Sequence, residues 1–89
     1  MVQVEKEIIN KLGLHARAAA KLLKCANQFS STIELHCNDK EADAKSILSL
    51  MVLAAGKGTK VTIIANGEDE QIAVKEIGNL IDDYFGEGE

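Results

Sequence analysis

Proline is absent from this 89-residue chain, tryptophan is absent too, and aromatics make up only 3% of it. No linker, internal repeat or low-complexity stretch interrupts it, so one domain covering residues 1–89 is expected. With so few aromatics, Leu, Ile, Val and Ala must fill the core, and platforms for stacking single-stranded bases are missing. Dense basic runs are missing as well. The net charge is -4, which argues against binding the nucleic-acid backbone. The two cysteines, Cys25 and Cys37, are too few and too far apart for a metal knuckle. No metal or cofactor is expected. No apolar run approaches the ~20 residues that cross a bilayer, and MVQVEKE carries charge where a signal segment would be apolar. A reducing cytoplasm with both thiols free is the simplest expectation. A chain of this size buries roughly 60–65% of its unfolded surface, enough for one modest core. It has no room for a deep, separately walled cavity, so any chemistry lies on the surface and is completed by a second protein.

What is present is a clear alternation of periods. Val2, Val4 and Ile8 alternate with polar neighbours, broken at Lys6, and predict a first strand. Ala16 to about Asn27 is rich in Ala and Leu, and Ala19, Leu22, Leu23, Ala26 and Phe29 form one helical stripe. Thr32–Cys37 alternates again, Asn38-Asp39 makes a tight turn, and Lys40–Asp43 returns as a charged edge strand. Ser46 caps a second, short helix over residues 47–55. Lys60–Ala65 is strand-like, and Asn66-Gly67 closes it. Asp69 is the expected N-cap of a final helix carrying Ala73, Val74, Ile77, Leu80, Ile81 and Tyr84 on one face. The tail, GEGE, is expected to fray. The order βαββαβα implies an α+β fold, a four-stranded, mainly antiparallel sheet with its helices on one face. The other sheet face is expected to be solvated.

Residues 10–20, NKLGLHARAAA, are the stretch with chemistry in it. His15 and Arg17 stand two apart where the first helix begins. A helix start disfavours a charged imidazole, so the ring is expected to stay neutral. The first-turn N–H groups of Ala16 and Arg17 lack intrahelical partners and suit phosphate oxygens, and the Arg17 guanidinium adds charge-assisted hydrogen bonds. Ala16 and Ala18 leave little bulk in the way of a partner. Gly13 either permits the sharp exit from the strand or lets a partner come near. On spacing alone the motif is weak, because most His-x-Arg pairs at helix starts are simply solvated. His36, on the polar face of a strand with no evident helper, is expected to be an ordinary surface residue.

A second surface surrounds Ser46. The run from Ile47 to Ala55 is apolar nearly all round, yet a two-turn helix on a sheet buries one side only. Leu50 and Leu53 fit the buried side. Ile47, Leu48 and Met51 would then form an exposed apolar patch of the kind that marks a partner site, unless the helix is wholly buried. A phosphate on Ser46 would add roughly -1.5 to -2 charges at the helix start. That charge would stand beside the patch and lower affinity for an acidic partner without unfolding the protein.

With LGLHARAAAKL at 12–22, AKSILSLMVLAAGKGT at 44–59 and NGEDE at 66–70, the chain resembles the histidine-containing phosphocarrier (HPr) family. That family serves the bacterial phosphoenolpyruvate-dependent phosphotransferase system. The resemblance implies a βαββαβα open-faced sandwich. It also implies a non-enzymatic carrier in which His15 takes a phosphoryl group on Nδ1 from phosphorylated enzyme I and passes it to a IIA domain. Arg17 would steady the group, and Ile47, Leu48 and Met51, with small residues of helix one such as Ala20, would dock both partners. Ser46 matches the position phosphorylated by a dedicated kinase in some relatives. Ala18 departs from the family's usual Pro, at little cost in a helix. The Asn10-Lys11-Leu12 loop is closer to nitrogen-branch relatives than to sugar carriers, and the loop at Ala54-Ala55 is expected to flank the phosphate. Beside the carrier reading stands a different class, a regulatory or ligand-binding α+β module that never holds phosphate. A monomer is the expected state.

Overall fold

The computed structural model describes residues 1–87. Alternating burial makes β1 (Val2–Glu7), β2 (Thr32–Cys37), β3 (Lys40–Asp43) and β4 (Lys60–Asn66) half-covered strands. They form one antiparallel sheet in the order β1-β4-β2-β3. The register runs from Val2 opposite Ala65 to Glu7 opposite Lys60, and from Thr32 opposite Asn66 to His36 opposite Thr62. Three helices, α1 (Ala16–Ala26), α2 (Ile47–Leu53) and α3 (Glu70–Asp82), complete the expected order. The core lies between the sheet and the helices. Ile33, Leu35, Val61 and Ile63 meet Leu22 of α1, Leu50 of α2, and Ile77 and Ile81 of α3, all fully or almost fully buried. Burying each such side chain stabilises the fold by about 1.5–3 kcal/mol.

Lys6 keeps the strand register that its charge seemed to break. Its position is half-buried, and its stem lies over Gly78 of α3, where a Cβ would stand 3.0 Å from Lys6 Cε. Its Nζ reaches Asp82 at 2.7 Å. The amphipathic stem covers apolar surface while the ammonium finds a carboxylate. An open groove of about 590 Å³ beside Val2, Val4 and Ile72, between β1 and α3, shares no lining residue with the histidine site below.

Several boundaries differ from the expectation. Helix α2 ends at Leu53, because Ala54 turns left-handed at φ 51°. Ala18 is fully buried, so it belongs to the core and not to a partner face. Tyr84 leaves the inner face of α3. After Asp82 the chain turns through a short 3₁₀ segment, Tyr84 and Phe85 take positive φ (57° and 53°), and Phe85 fills the core place instead. Each left-handed non-glycine residue costs about 1–2 kcal/mol, offset by burial of the Phe85 ring. Gly86 and Glu87 are therefore held, whereas the expectation of fraying for Gly88 and Glu89 lies outside the described residues.

Asp69 stands at the start of α3 but does not cap it with its side chain. Its carboxylate instead accepts from the backbone N–H groups of Ser30 and Ser31 (2.9 and 3.0 Å) and from the Ser31 hydroxyl. It straps the α1–β2 loop to α3. These bonds, led by the Ser31 hydroxyl, hold the carboxyl down to about 2. A group whose folded pKa is depressed adds stability above its unfolded pKa and loses it as pH falls through the folded one. Stability is therefore expected to fall between about pH 4 and pH 2. In Asp69→Asn the protein should be less stable at pH 7, and that part of the acid slope should vanish, as thermal melts across pH would read.

Candidate functional site

The turn that carries the histidine is built by its own backbone. Asn10, fully buried, donates from Nδ2 to the Gly13 carbonyl at 2.8 Å, and Gly13 N–H returns to the Asn10 carbonyl at 3.2 Å. Gly13 has φ +66°, and a Cβ there would lie 2.6 Å from the Ala55 carbonyl oxygen and 2.7 Å from Gly56 Cα. Both demands require glycine. Gly13 thus serves the sharp exit and the close packing of the chain's own loop. Leu14 N–H then bonds the Ala55 carbonyl at 2.7 Å, so the loop after α2 packs against the histidine turn.

These constraints leave His15 as the N-cap of α1, with extended backbone (φ -84°, ψ -179°) and no side-chain cap bond. Its side chain is 26% exposed. Nε2 meets both oxygens of the Glu87 carboxylate, at 2.9 and 3.0 Å. Among the described residues, nothing is bonded to Nδ1, and no acceptor takes the N–H of Ala16, Arg17 or Ala18. Residue 18, as Ala, therefore offers a donor that proline would lack. Arg17 is exposed. With Lys11, Leu12 and Glu87 it lines a depression of about 220 Å³. Two cations thus stand at the turn of an acidic protein. Lys11 and Glu87 were not singled out from the sequence.

At the second surface the structure shows the cap and the exposure of the apolar side chains. Ser46 caps α2, its Oγ accepting from Ser49 N–H at 3.3 Å. Leu50 and Leu53 face inward, while Ile47, Leu48 and Met51 are exposed. Val52, 63% exposed, belongs with them, and Leu12 adds another exposed apolar side chain. Ala20 is exposed on α1, and α1 and α2 are in contact. His36 does have helpers. On the open face of the sheet its Nε2 bonds Glu34 at 2.7 Å and lies 3.8 Å from Glu41. The ligand atoms of these three residues fall within 4.8 Å of one another.

An open-faced sandwich with one half-exposed histidine at a helix start, and no walled cavity there, has the form of a small carrier of groups that other proteins donate and collect. The comparisons make the class specific. The family described as "PTS HPr component phosphorylation site" matches residues 2–83. The chain is 51% identical to a phosphocarrier protein HPr of Cupriavidus necator, over all of both chains. It superposes on HPr-C-His from Thermoanaerobacter tengcongensis with a TM-score of 0.94, at 44% identity, covering 98% of each chain. An HPr dimer from the same organism gives a TM-score of 0.78 at 44% identity, with 98% and 100% covered. The chain belongs to the HPr family and is a phosphocarrier of the phosphotransferase system, not an enzyme. Among the described residues, no helix is long and apolar enough to cross a membrane.

Proposed function

We propose that Nδ1 of His15 is the atom that takes the phosphoryl group, from phosphorylated enzyme I, and yields it to a IIA domain. The observation that supports this is the division of the ring: Nε2 is engaged by Glu87, while among the described residues Nδ1 has no partner and the N–H groups of Ala16, Arg17 and Ala18 at the same helix start have no acceptor. The Nδ1 lone pair forms the new N–P bond, and the bond from phosphorus to the donor breaks with its electron pair left on the donor. The amides of Ala16 and Arg17 and the guanidinium of Arg17 meet the charge on the phosphoryl oxygens. Ile47, Leu48, Met51 and Ala20 are the docking surface for both partners, now joined by Val52. Since His15, Arg17 and Glu87 come from one chain, a monomer suffices for the chemistry, acting in the cytoplasm. The test is to incubate the protein with phosphoenolpyruvate and enzyme I and map the acid-labile phosphate by peptide mass. Label on the peptide holding His15 supports the assignment, and label on that of His36 overturns it.

Ser46 is read as the regulatory site of an HPr kinase. Its Oγ already holds the first turn of α2, and Asp caps a helix as well as Ser does. The expected result for Ser46→Asp is an unchanged or higher melting temperature with roughly tenfold weaker binding to enzyme I, read by calorimetry and titration. Tighter binding would count against the docking surface.

A further inference from the structure

An ionised carboxylate only accepts hydrogen bonds. A ring nitrogen 2.9 and 3.0 Å from its two oxygens must therefore carry the hydrogen. In a neutral imidazole that leaves the lone pair on the other nitrogen, Nδ1. We infer that Glu87 is a positioning residue for phosphoryl transfer, fixing His15 as the Nε2–H tautomer and balancing the charge the ring acquires when Nδ1 is phosphorylated. This rests on His15 being the acceptor.

The contact is built into the fold. Phe85 is fully buried and anchors the segment. Glu87 N–H bonds the Tyr84 carbonyl at 3.0 Å, and Gly86 N–H bonds that of Asp83 at 2.8 Å. Lys21 Nζ holds the Phe85 carbonyl at 2.8 Å. Asn10 Nδ2, already fixed on the histidine turn, also reaches Glu87 Oε1 at 3.4 Å. The Glu87 side chain is only 12% exposed. The bond from the His15 ring, chiefly, holds its carboxyl below the usual range, against the opposing effect of burial.

The chemistry follows from this placement. When the Nδ1 lone pair joins phosphorus, both ring nitrogens are substituted and the ring becomes cationic. The proton stays on Nε2, against the carboxylate. When an acceptor then attacks phosphorus, the N–P bond breaks, its electron pair returns to Nδ1, and the ring is again neutral with the same proton in place. No proton is exchanged with solvent over the cycle. The carboxylate stands on the side of the ring away from the phosphoryl group, whose own charge is met by the free amides and Arg17. At metal-binding histidines a carboxylate partner on the far ring nitrogen is worth about 10- to 100-fold, and an effect at the lower end of that range is expected for this metal-free ring.

The experiment compares Glu87→Ala and Glu87→Gln with the parent in the full chain. ¹⁵N NMR reads the tautomer of His15. Single-turnover transfer from phosphorylated enzyme I reads the rate, and thermal melts control for folding. The parent should show one tautomer, with hydrogen on Nε2. In Glu87→Ala both tautomers should be populated, and transfer should slow by about tenfold with the melting temperature held. In Glu87→Gln, shape is kept and charge is lost, and transfer should also slow. Parental tautomer and rate in Glu87→Ala would overturn the inference. So would faster transfer, which would make the carboxylate a plug. Neither result would touch His15 as the acceptor, whereas label retained in His15→Ala would remove the acceptor itself.

Discussion

His15→Ala is expected to take up no phosphate from phosphorylated enzyme I while melting within about 5 °C of the parent. The ring is part-exposed, and among the described residues its one side-chain partner is Glu87, so the core loses nothing when it goes. His36, the other histidine, is not expected to substitute. His36 lies on the outer face of the sheet, its Nε2 engaged by Glu34, with no helix start beneath it. Full labelling of His36→Ala is the matching control. Arg17→Ala should sit between these extremes. A charge-assisted bond contributes about 1.5–3 kcal/mol, so transfer should slow by about 10- to 150-fold with the fold intact. The side chain is exposed, and among the described residues it is in no ion pair. An unfolded Arg17→Ala would make that residue structural, and equal loss of label in the two histidine variants would remove the site assignment.

The second large effect lies away from the chemistry. Phe85→Ala should destabilise the protein by about 3–5 kcal/mol, lowering the melting temperature by about 15 °C or more. Phe85 is the largest fully buried side chain. The two residues that deliver it take positive φ, a conformation that costs about 1–2 kcal/mol each and that burial of the ring offsets. Without the ring, the strain at Tyr84 and Phe85 is uncompensated. Tyr84→Ala, by contrast, should change stability by less than about 1 kcal/mol, since Tyr84 is turned outward. Denaturant melts of both variants decide the matter, and similar losses in the two would mean that the segment after α3 packs differently.

Tyr84 and Phe85 also mark where reading the sequence stopped. The strands were legible because alternation survives even at Lys6, and α1 because its apolar stripe is regular. At the end of α3 two aromatics follow Ile81 at three and four residues. A helical period admits both, and only the kink after Asp82 decides for Phe85. Asp69 stands where the spacing puts it, at the start of α3, but its side chain acts elsewhere. A capping bond is local and written in spacing, while its real partners, Ser30 and Ser31, are brought to it by the sheet. The same holds for the candidate site. His15, Arg17 and the exposed residues of α2 follow from local pattern. Lys11 and Glu87 do not, because nothing in GEGE announces that the fold returns it to residue 15. Val52 was missed because a short, wholly apolar helix gives no contrast by which to tell its faces apart.

The pairing of β1 with β4 has a consequence for how the protein is made. As the chain leaves the ribosome, Val2–Glu7 has no strand neighbour until Lys60–Asn66 is synthesised, because among the described residues β4 is the strand it pairs with. Phe85, which plugs the interior, comes later still. α1 and the β2–β3 hairpin can form early, but neither holds a closed core. Cooperative folding must therefore wait for nearly the whole chain, and a nascent fragment would show chaperones the apolar face that the finished protein hides.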